Sequence, residues 1–259
     1  MGPLHLVARS MKPVISLSGA GKLFGGRQVL KDVSAEIGAA EFVSILGPSG
    51  CGKSTLLRLI AGLVPFEEGS IRFGGADVTA PTAEMGFVFQ TSNLLPWRNV
   101  RDNLLLGVDL DPQARRPDEA AIAALVETLG LTGFEANYPG ELSGGMRHRV
   151  AIGQALARGP QVLLMDEPFG ALDALTRDRL NMELLRIWQR DRKTVVLVTH
   201  SISEAVLLSD RVLVMSERPG TIIEDVRIDL PRPRDPSATR EDAAFGDYVV
   251  RLSKLMGVS

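Results

Sequence analysis

Short apolar runs separated by glycine-rich turns recur through the chain, and their lengths are those of β-strands. The run at 41–46 predicts a buried strand that leads directly into a glycine-rich loop. Apolar residues at helical spacing then predict a helix over 54–62. Further strands are predicted at 14–17, 31–37, 70–73, 86–90, 162–166, 195–200, 212–215 and 221–228.

The middle of the chain differs from its two flanks, because 93–159 is mostly of helical pattern. Strands alternate with helices before and after this segment, which predicts an α/β fold with a mostly parallel sheet and an inserted helical subdomain at about 91–159. We expect a tail at 1–12, a main domain at 13–230 and a short C-terminal extension at 231–259. Amphipathic helices are predicted at 114–130, 144–158 and 243–256.

Composition narrows the classes of protein that remain. The 259 residues hold 29 Lys and Arg against 31 Asp and Glu, so the net charge of −2 argues against attachment to nucleic acid by bulk charge. One cysteine and three histidines leave no disulfide framework and make a structural zinc site improbable. No apolar run approaches the roughly 18 residues of a membrane-spanning helix. We therefore expect any membrane role to depend on a partner.

The loop after the 41–46 strand fits the pattern G-x-x-x-x-G-K-[ST] between a strand and a helix. Its backbone N–H groups can surround a phosphate, and the following helix adds positive charge at its N-terminus. Lys53 is predicted to reach the β- and γ-phosphates, and the Ser54 hydroxyl to ligate Mg²⁺. The alternative is an ordinary glycine turn. Cys51 is predicted to be a passive spacer in the loop, with regulatory oxidation as the alternative. The predicted nucleotide-binding residues of this loop are Gly47, Pro48, Ser49, Gly50, Cys51, Gly52, Lys53, Ser54 and Thr55.

A second chemical signal is the run 162–165 followed by Asp166 and Glu167. The carboxyl ends of parallel strands are where α/β sheets bind ligands. Asp166 is therefore predicted to hold Mg²⁺ and Glu167 to act as general base on the attacking water. The alternative is a solvated strand end with two ordinary acids, which the upstream phosphate loop disfavours.

Ser143, Gly144 and Gly145 precede a predicted helix, with Ser143 suited to cap it. Uncovered backbone donors there predict a second anion site, against the alternative of a plain capped helix.

The order of these motifs resembles the ATPase subunits of ABC transporters. The chain carries the phosphate loop, Gln90 after a strand, the Leu-Ser-Gly-Gly segment, the apolar-Asp-Glu strand, Asp173 and His200, in that order over about 13–230. The resemblance implies a P-loop NTPase fold with a RecA-like core and an antiparallel β subdomain. Two departures are Met146 and Ala40, where the family commonly has glutamine and glycine.

The resemblance also implies roles for single residues. Phe24 would stack on adenine, with a core phenylalanine as the alternative. Gln90 would contact Mg²⁺ and the attacking water, and His200 the γ-phosphate, although a lone histidine at a strand end is usually structural. Ser143, Gly144 and Gly145 would face the ATP bound by a second copy, and Asp173 would lie at the seam between the copies. ATP and Mg²⁺ are the implied cofactors.

The segment 93–103 around Trp97 resembles the nitrate, sulfonate and taurine importer branch. That branch implies permease partners and a periplasmic or extracellular solute-binding protein. It also implies a peripheral location on the cytoplasmic side of the inner membrane. Trp97 would dock on the permease, with packing inside the helical subdomain as the alternative. No nucleic acid partner is expected. The alternatives are an ABC ATPase acting on nucleic acid or ribosomes, and an ATP-dependent interaction module with little turnover.

Overall fold

A computed structural model describes residues 13–170 and 172–257, so the predicted tail at 1–12 lies outside the described residues. The strands of the described part are β1 Ile15–Phe24, β2 Arg27–Ile37, β3 Phe42–Leu46, β4 Glu68–Phe73, β5 Ala76–Asp77, β6 Met85–Val88, β7 Val162–Asp166, β8 Thr194–Thr199, β9 Arg211–Met215 and β10 Ile222–Arg227. The helices are α1 Lys53–Ile60, α2 Val100–Leu104, α3 Leu106–Asp109, α4 Glu119–Thr128, α5 Gly144–Leu156, α6 Ala174–Asp191, α7 Ile202–Leu208, α8 Pro236–Glu241 and α9 Ala243–Leu255, with a 3₁₀ turn at Pro139–Glu141.

The main sheet has the strand order β10-β9-β3-β8-β7-β6 and is parallel except for β10. Strands β3, β7 and β8 are buried along their whole length because both faces of the sheet are covered. Along β7, Leu163 and Met165 pack into one hydrophobic cluster, and Val162 and Leu164 into another on the opposite face. Burial on both faces fixes the register of the strands, and the register sets where each strand ends relative to its neighbours.

The second sheet is antiparallel, in the order β2-β1-β4-β5. It packs with α1 on one face of the main sheet, where its apolar positions share a cluster with alternate residues of β3 and β8. The predicted α/β core with an antiparallel β subdomain is confirmed. The expected strand 14–17 was too short, since β1 continues to Phe24 through three register shifts against β2.

The predicted helical insert holds α2 to α5 and lies between β6 and β7. Helix α5 packs closely on α2, and a Cβ at Gly153 would come within 2.4 Å of side-chain carbons of Leu104 and Leu129.

The extension contains α9, as predicted, and also α8, which was not predicted. Phe245 and Leu252 of α9 are buried in the same cluster as α7. The extension therefore covers one face of the core beside α7.

Candidate functional site

The phosphate loop connects the end of β3 to the start of α1. Gly52 lies at φ +112°, and a Cβ there would come within 2.7 Å of Leu30 Cδ2, so glycine is required at this turn. The Lys53 ammonium donates hydrogen bonds to Gly47 O at 2.8 Å and to Pro48 O at 3.0 Å. No side chain caps the N-terminus of α1, which leaves its first N–H groups suited to an anion.

The other residues of the loop differ in exposure. Ser49 and Gly50 are exposed, and Thr55 is half-buried. Cys51 is buried, and burial raises the pKa of its thiol. A thiol held in its neutral form packs as a small apolar group, in line with the spacer role predicted for it.

Asp166 at the end of β7 lies against the phosphate loop. Ser54 Oγ donates a hydrogen bond of 2.6 Å to Asp166 Oδ1, and an Arg58 nitrogen lies 3.8 Å from Asp166 Oδ2. Burial raises the pKa of the Asp166 carboxyl, which Ser54 and Arg58 only partly offset. This hydrogen bond thus brings together Ser54 and Asp166, which were predicted from separate motifs to hold a metal ion.

Glu167 and His200 leave adjacent strands and meet. His200 Nδ1 lies 3.2 Å from Glu167 Oε2. The Glu167 N–H donates to Val198 O at 3.0 Å, which fixes the end of β7 beside β8. Glu167 has a positive φ of 44°, a conformation that non-glycine residues rarely adopt. The predicted base and the predicted phosphate contact therefore occupy one corner of the site.

Gln90 follows β6, the edge neighbour of β7, at the same end of the main sheet. The predicted strand 86–90 is wrong at its end, because β6 stops at Val88. Gln90 is exposed and lies two residues beyond the strand. It therefore belongs to a loop, which allows its side chain more freedom than a strand position would.

Ser143 and Asp173 each cap a helix. Ser143 Oγ accepts from the Met146 N–H at 3.3 Å at the start of α5, and Asp173 accepts from the Thr176 N–H at 3.0 Å at the start of α6. The two helix starts adjoin, since a Cβ at Gly145 would lie 3.2 Å from Thr176 Cγ2. Among the described residues, no hydrogen bond joins either of them to the phosphate loop.

Phe24 ends β1 and is 48% exposed, so the alternative of a core phenylalanine is wrong. The Lys22 ammonium lies 4.9 Å from the centre of its ring, and the same ammonium pairs with Glu67 Oε1 at 2.6 Å. A cation thus lies over the ring while about half of the residue stays exposed, which suits a stacking platform.

Two polar residues beside His200 were missed by the sequence reasoning. Glu204 is 7% exposed, and its carboxyl accepts a hydrogen bond from the Thr199 hydroxyl. Arg177 donates to Phe169 O at 3.3 Å and to Leu172 O at 2.9 Å. The one available signal, Ser201 followed three residues later by Glu204, is typical of an exposed capping box and points away from a buried acid.

Within the described ranges, no helix is both long and apolar enough to cross a membrane. The same part of the chain contains no group of three or more His, Cys, Asp or Glu placed to hold a metal ion.

Comparison with known proteins decides the family. The family model described as ABC transporter matches residues 30–170. The chain is 48% identical over 250 residues to an uncharacterised ABC transporter ATP-binding protein of Methanocaldococcus jannaschii, covering 95% of this chain and 92% of that protein. The chain belongs to the ABC transporter ATP-binding proteins. A taurine import ATP-binding protein of Escherichia coli is 46% identical over 209 residues, covering 81% of this chain and 82% of the relative.

Solved structures agree with this assignment. The dimeric ABC transporter cassette MJ0796 matches with a TM-score of 0.72 and 32% identity, covering 84% of this chain and 100% of that one. The post-hydrolysis dimer of MJ0796 bound to ADP and phosphate matches with a TM-score of 0.71 and 30% identity, covering the same shares of the two chains. The predicted P-loop fold, ATP binding and ATPase activity of this ABC protein are confirmed. The alternative of an ABC ATPase acting on nucleic acid or ribosomes is not favoured.

Proposed function

We propose that this ABC protein drives a small-solute importer by hydrolysing MgATP at the carboxyl edge of its main sheet. The observation that carries the proposal is the convergence of three strand ends. They place the phosphate loop, the Ser54–Asp166 pair and the Glu167–His200 pair side by side, with 3.2 Å between His200 Nδ1 and Glu167 Oε2.

Binding begins with the triphosphate. The loop N–H groups and the N-terminus of α1 receive the phosphate oxygens. Lys53 exchanges its bonds to the Gly47 and Pro48 carbonyls for the β- and γ-phosphates, a short movement because those carbonyls belong to the same loop. Phe24 supplies the open ring face on which adenine stacks.

Hydrolysis then uses the Glu167–His200 corner. Glu167 accepts a proton from water as the water oxygen attacks the γ-phosphorus, and the bond to the β-phosphate oxygen breaks to give ADP and phosphate. A positioned base of this kind contributes about 10²- to 10⁴-fold in rate. His200 contacts the γ-phosphate and orients the Glu167 carboxylate, and Gln90 orients the water from the neighbouring loop.

The donor set suits Mg²⁺. Ser54, Asp166 and Gln90 offer hydroxyl, carboxylate and amide oxygens, the hard ligands that this ion prefers, and phosphate oxygens and water would complete its shell. Burial disfavours the charged form of Asp166, a cost that a bound cation offsets. When bound, the ion neutralises charge on the phosphate oxygens.

A second copy completes the site. Ser143 and Asp173 lie at adjoining helix starts without bonds to the chain's own phosphate loop among the described residues. Helix α5 presents free N–H groups beyond its Ser143 cap. We assign this helix start to the γ-phosphate held by the partner copy, where it supplies the charge stabilisation that an arginine finger gives in other P-loop enzymes.

We assign the permease partner to three exposed aromatic residues on two joined segments, Trp97, Phe134 and Tyr138. Trp97 is 71% exposed, and the other two are also exposed. Hydrogen bonds from Val100 N to Asn137 O at 2.8 Å and from Arg101 N to Glu135 O at 3.0 Å hold these segments together. Exposed aromatic residues grouped on joined segments support an interaction site here.

The similarity to a taurine import subunit favours a small anionic or zwitterionic solute, brought to the permease by a solute-binding protein. In this assembly the chain lies on the cytoplasmic side of the inner membrane and is attached through the permease.

Membrane fractionation with the co-expressed permease tests the importer role. We expect the full chain to sediment with membranes only when the permease is present, and Trp97→Ala to weaken that association. Leu110→Ala is the matched control, since Leu110 is 73% exposed on a different segment. ATP binding by both variants checks that they are folded. Membrane association without a permease, or equal retention of both variants, would contradict the assignment.

A further inference from the structure

The turn that carries His200 is held by a buried carboxyl group. Glu204, in the first turn of α7, accepts a hydrogen bond from the Thr199 hydroxyl. The same hydroxyl oxygen accepts from the Ser201 N–H at 3.0 Å. The Thr199 hydroxyl therefore bridges the residues before and after His200. Glu204 fixes the orientation of this hydroxyl group.

His200 itself has few restraints at its side chain. Its ring is exposed, and its one hydrogen bond within the described residues is the 3.2 Å contact with Glu167. The direction of the ring is thus set mainly by its backbone, which makes the Thr199 and Ser201 bonds decisive for the distance to Glu167.

Glu204 also lies against α6, the helix that begins after Asp173. Arg177 of α6 lines one small cavity together with Glu204 and His200. The second carboxyl oxygen of Glu204, Oε1, is buried without a hydrogen-bond partner among the described residues. Arg177 in turn donates to the carbonyls of Phe169 and Leu172, which precede Asp173 in the chain. Arg177 therefore lies between the Asp173 loop and the cavity that Glu204 shares with His200.

A buried acid is a costly way to fill this space. Burying a carboxyl with incomplete partners costs free energy that an apolar side chain of similar volume would not. Stability of the fold alone therefore does not account for Glu204.

We propose that Glu204 is a positioning residue for hydrolysis, holding the 199–201 turn so that His200 meets Glu167. The inference rests on the proposed roles of Glu167 and His200.

Steady-state ATP hydrolysis by the full chain tests it with two substitutions of similar size. Glu204→Gln keeps a carbonyl oxygen for the Thr199 hydroxyl and should stay within about threefold of wild-type kcat. Glu204→Met removes the acceptor and should lower kcat about 10- to 100-fold, the cost of a misplaced group. Its KM for ATP should stay within about twofold, because the phosphate loop is untouched.

Two controls separate positioning from a structural role. Ser209→Ala breaks the buried 2.5 Å hydrogen bond to Ser44 at the other end of α7, and should lower stability while leaving kcat unchanged. In a His200→Ala background, Glu204→Met should cause no further loss, because a positioning residue acts only through the residue it positions.

Wild-type kcat in Glu204→Met, or an equal further loss in the His200→Ala background, would overturn the inference. Glu167→Gln and Lys53→Ala are measured alongside. If those two retain full activity, the proposed site fails; if they lose activity and Glu204→Met does not, only the positioning role fails.

Discussion

The backbone at Glu167 is strained where the chemistry is assigned. Its φ of 44° places an L residue in the left-handed region, at a cost of about 1–2 kcal/mol. The bond from the Glu167 N–H to Val198 O holds the conformation. Such strain persists where the surrounding structure enforces it, and functional sites are where it clusters. Here it turns the carboxylate toward His200.

Glu167→Gln tests the assigned base. The amide keeps the size of the side chain but cannot accept the proton, so hydrolysis should fall about 10²- to 10⁴-fold while ATP binding persists. Phosphate release and equilibrium nucleotide binding measure the two effects. Glu36→Gln is the control, since Glu36 is exposed on β2 in the antiparallel sheet, and it should hydrolyse ATP like the wild type. Unchanged turnover in Glu167→Gln would remove it from this role.

At the scale of elements, sequence pattern succeeds where a strand is buried on both faces. The predicted 162–166 matches β7, because an unbroken apolar run ended by acids leaves no ambiguity. It fails for β1, where Gly19 and Gly21 interrupt the apolar pattern and pairing with β2 and β4 carries the strand on. Helix α8 was missed because it is one short segment that starts at Pro236.

The residues of the site also divide into those that sequence motifs predict and those that only the packing reveals. Residues in sequence motifs, such as Lys53 and Asp166, could be found from spacing alone. The residues that support His200 could not, because the bond of Glu204 to Thr199 depends on how α7 packs against β8. The place of Arg177 in the same cavity as that carboxyl depends equally on the packing of α6, which no local pattern records.

The C-terminal extension ties itself to α7 through Arg234. This side chain is buried and donates to the carbonyls of Val206, Leu207 and Ser209 at 3.2, 3.0 and 2.7 Å. Those are the carbonyls that a helix end leaves without partners. The extension therefore stabilises the helix that carries Glu204.

Arg234→Met should lower the free energy of unfolding by about 2–4 kcal/mol, because several buried carbonyls lose a charged donor. Arg227→Met is the matched control: within the described part of the chain Arg227 pairs only with Asp229, in an exposed ion pair worth about 0–1 kcal/mol. Denaturant unfolding of both full chains measures the difference. Equal losses would show that Arg234 does not cap α7.

At the scale of the whole molecule, the assigned residues fall into two sets. One set surrounds the phosphate loop at the carboxyl edge of the main sheet, and the other lies at the adjoining starts of α5 and α6. In the two-fold dimer that we propose, the first set of one copy would face the second set of the other, and this contact would occur twice. ATP would then join two copies, and hydrolysis would release them to move the permease.

Mixing two inactive variants tests this central claim most directly. Lys53→Ala disables the phosphate loop, and Ser143→Arg disables the helix start, so each variant alone should lack hydrolysis. In a mixed dimer both substitutions fall in one ATP site and leave the other site intact. Random mixing makes about half of the dimers mixed, so it should restore up to about a quarter of the wild-type rate. If each copy instead used its own Ser143, the mixture would stay as inactive as its components, and the shared site would be refuted.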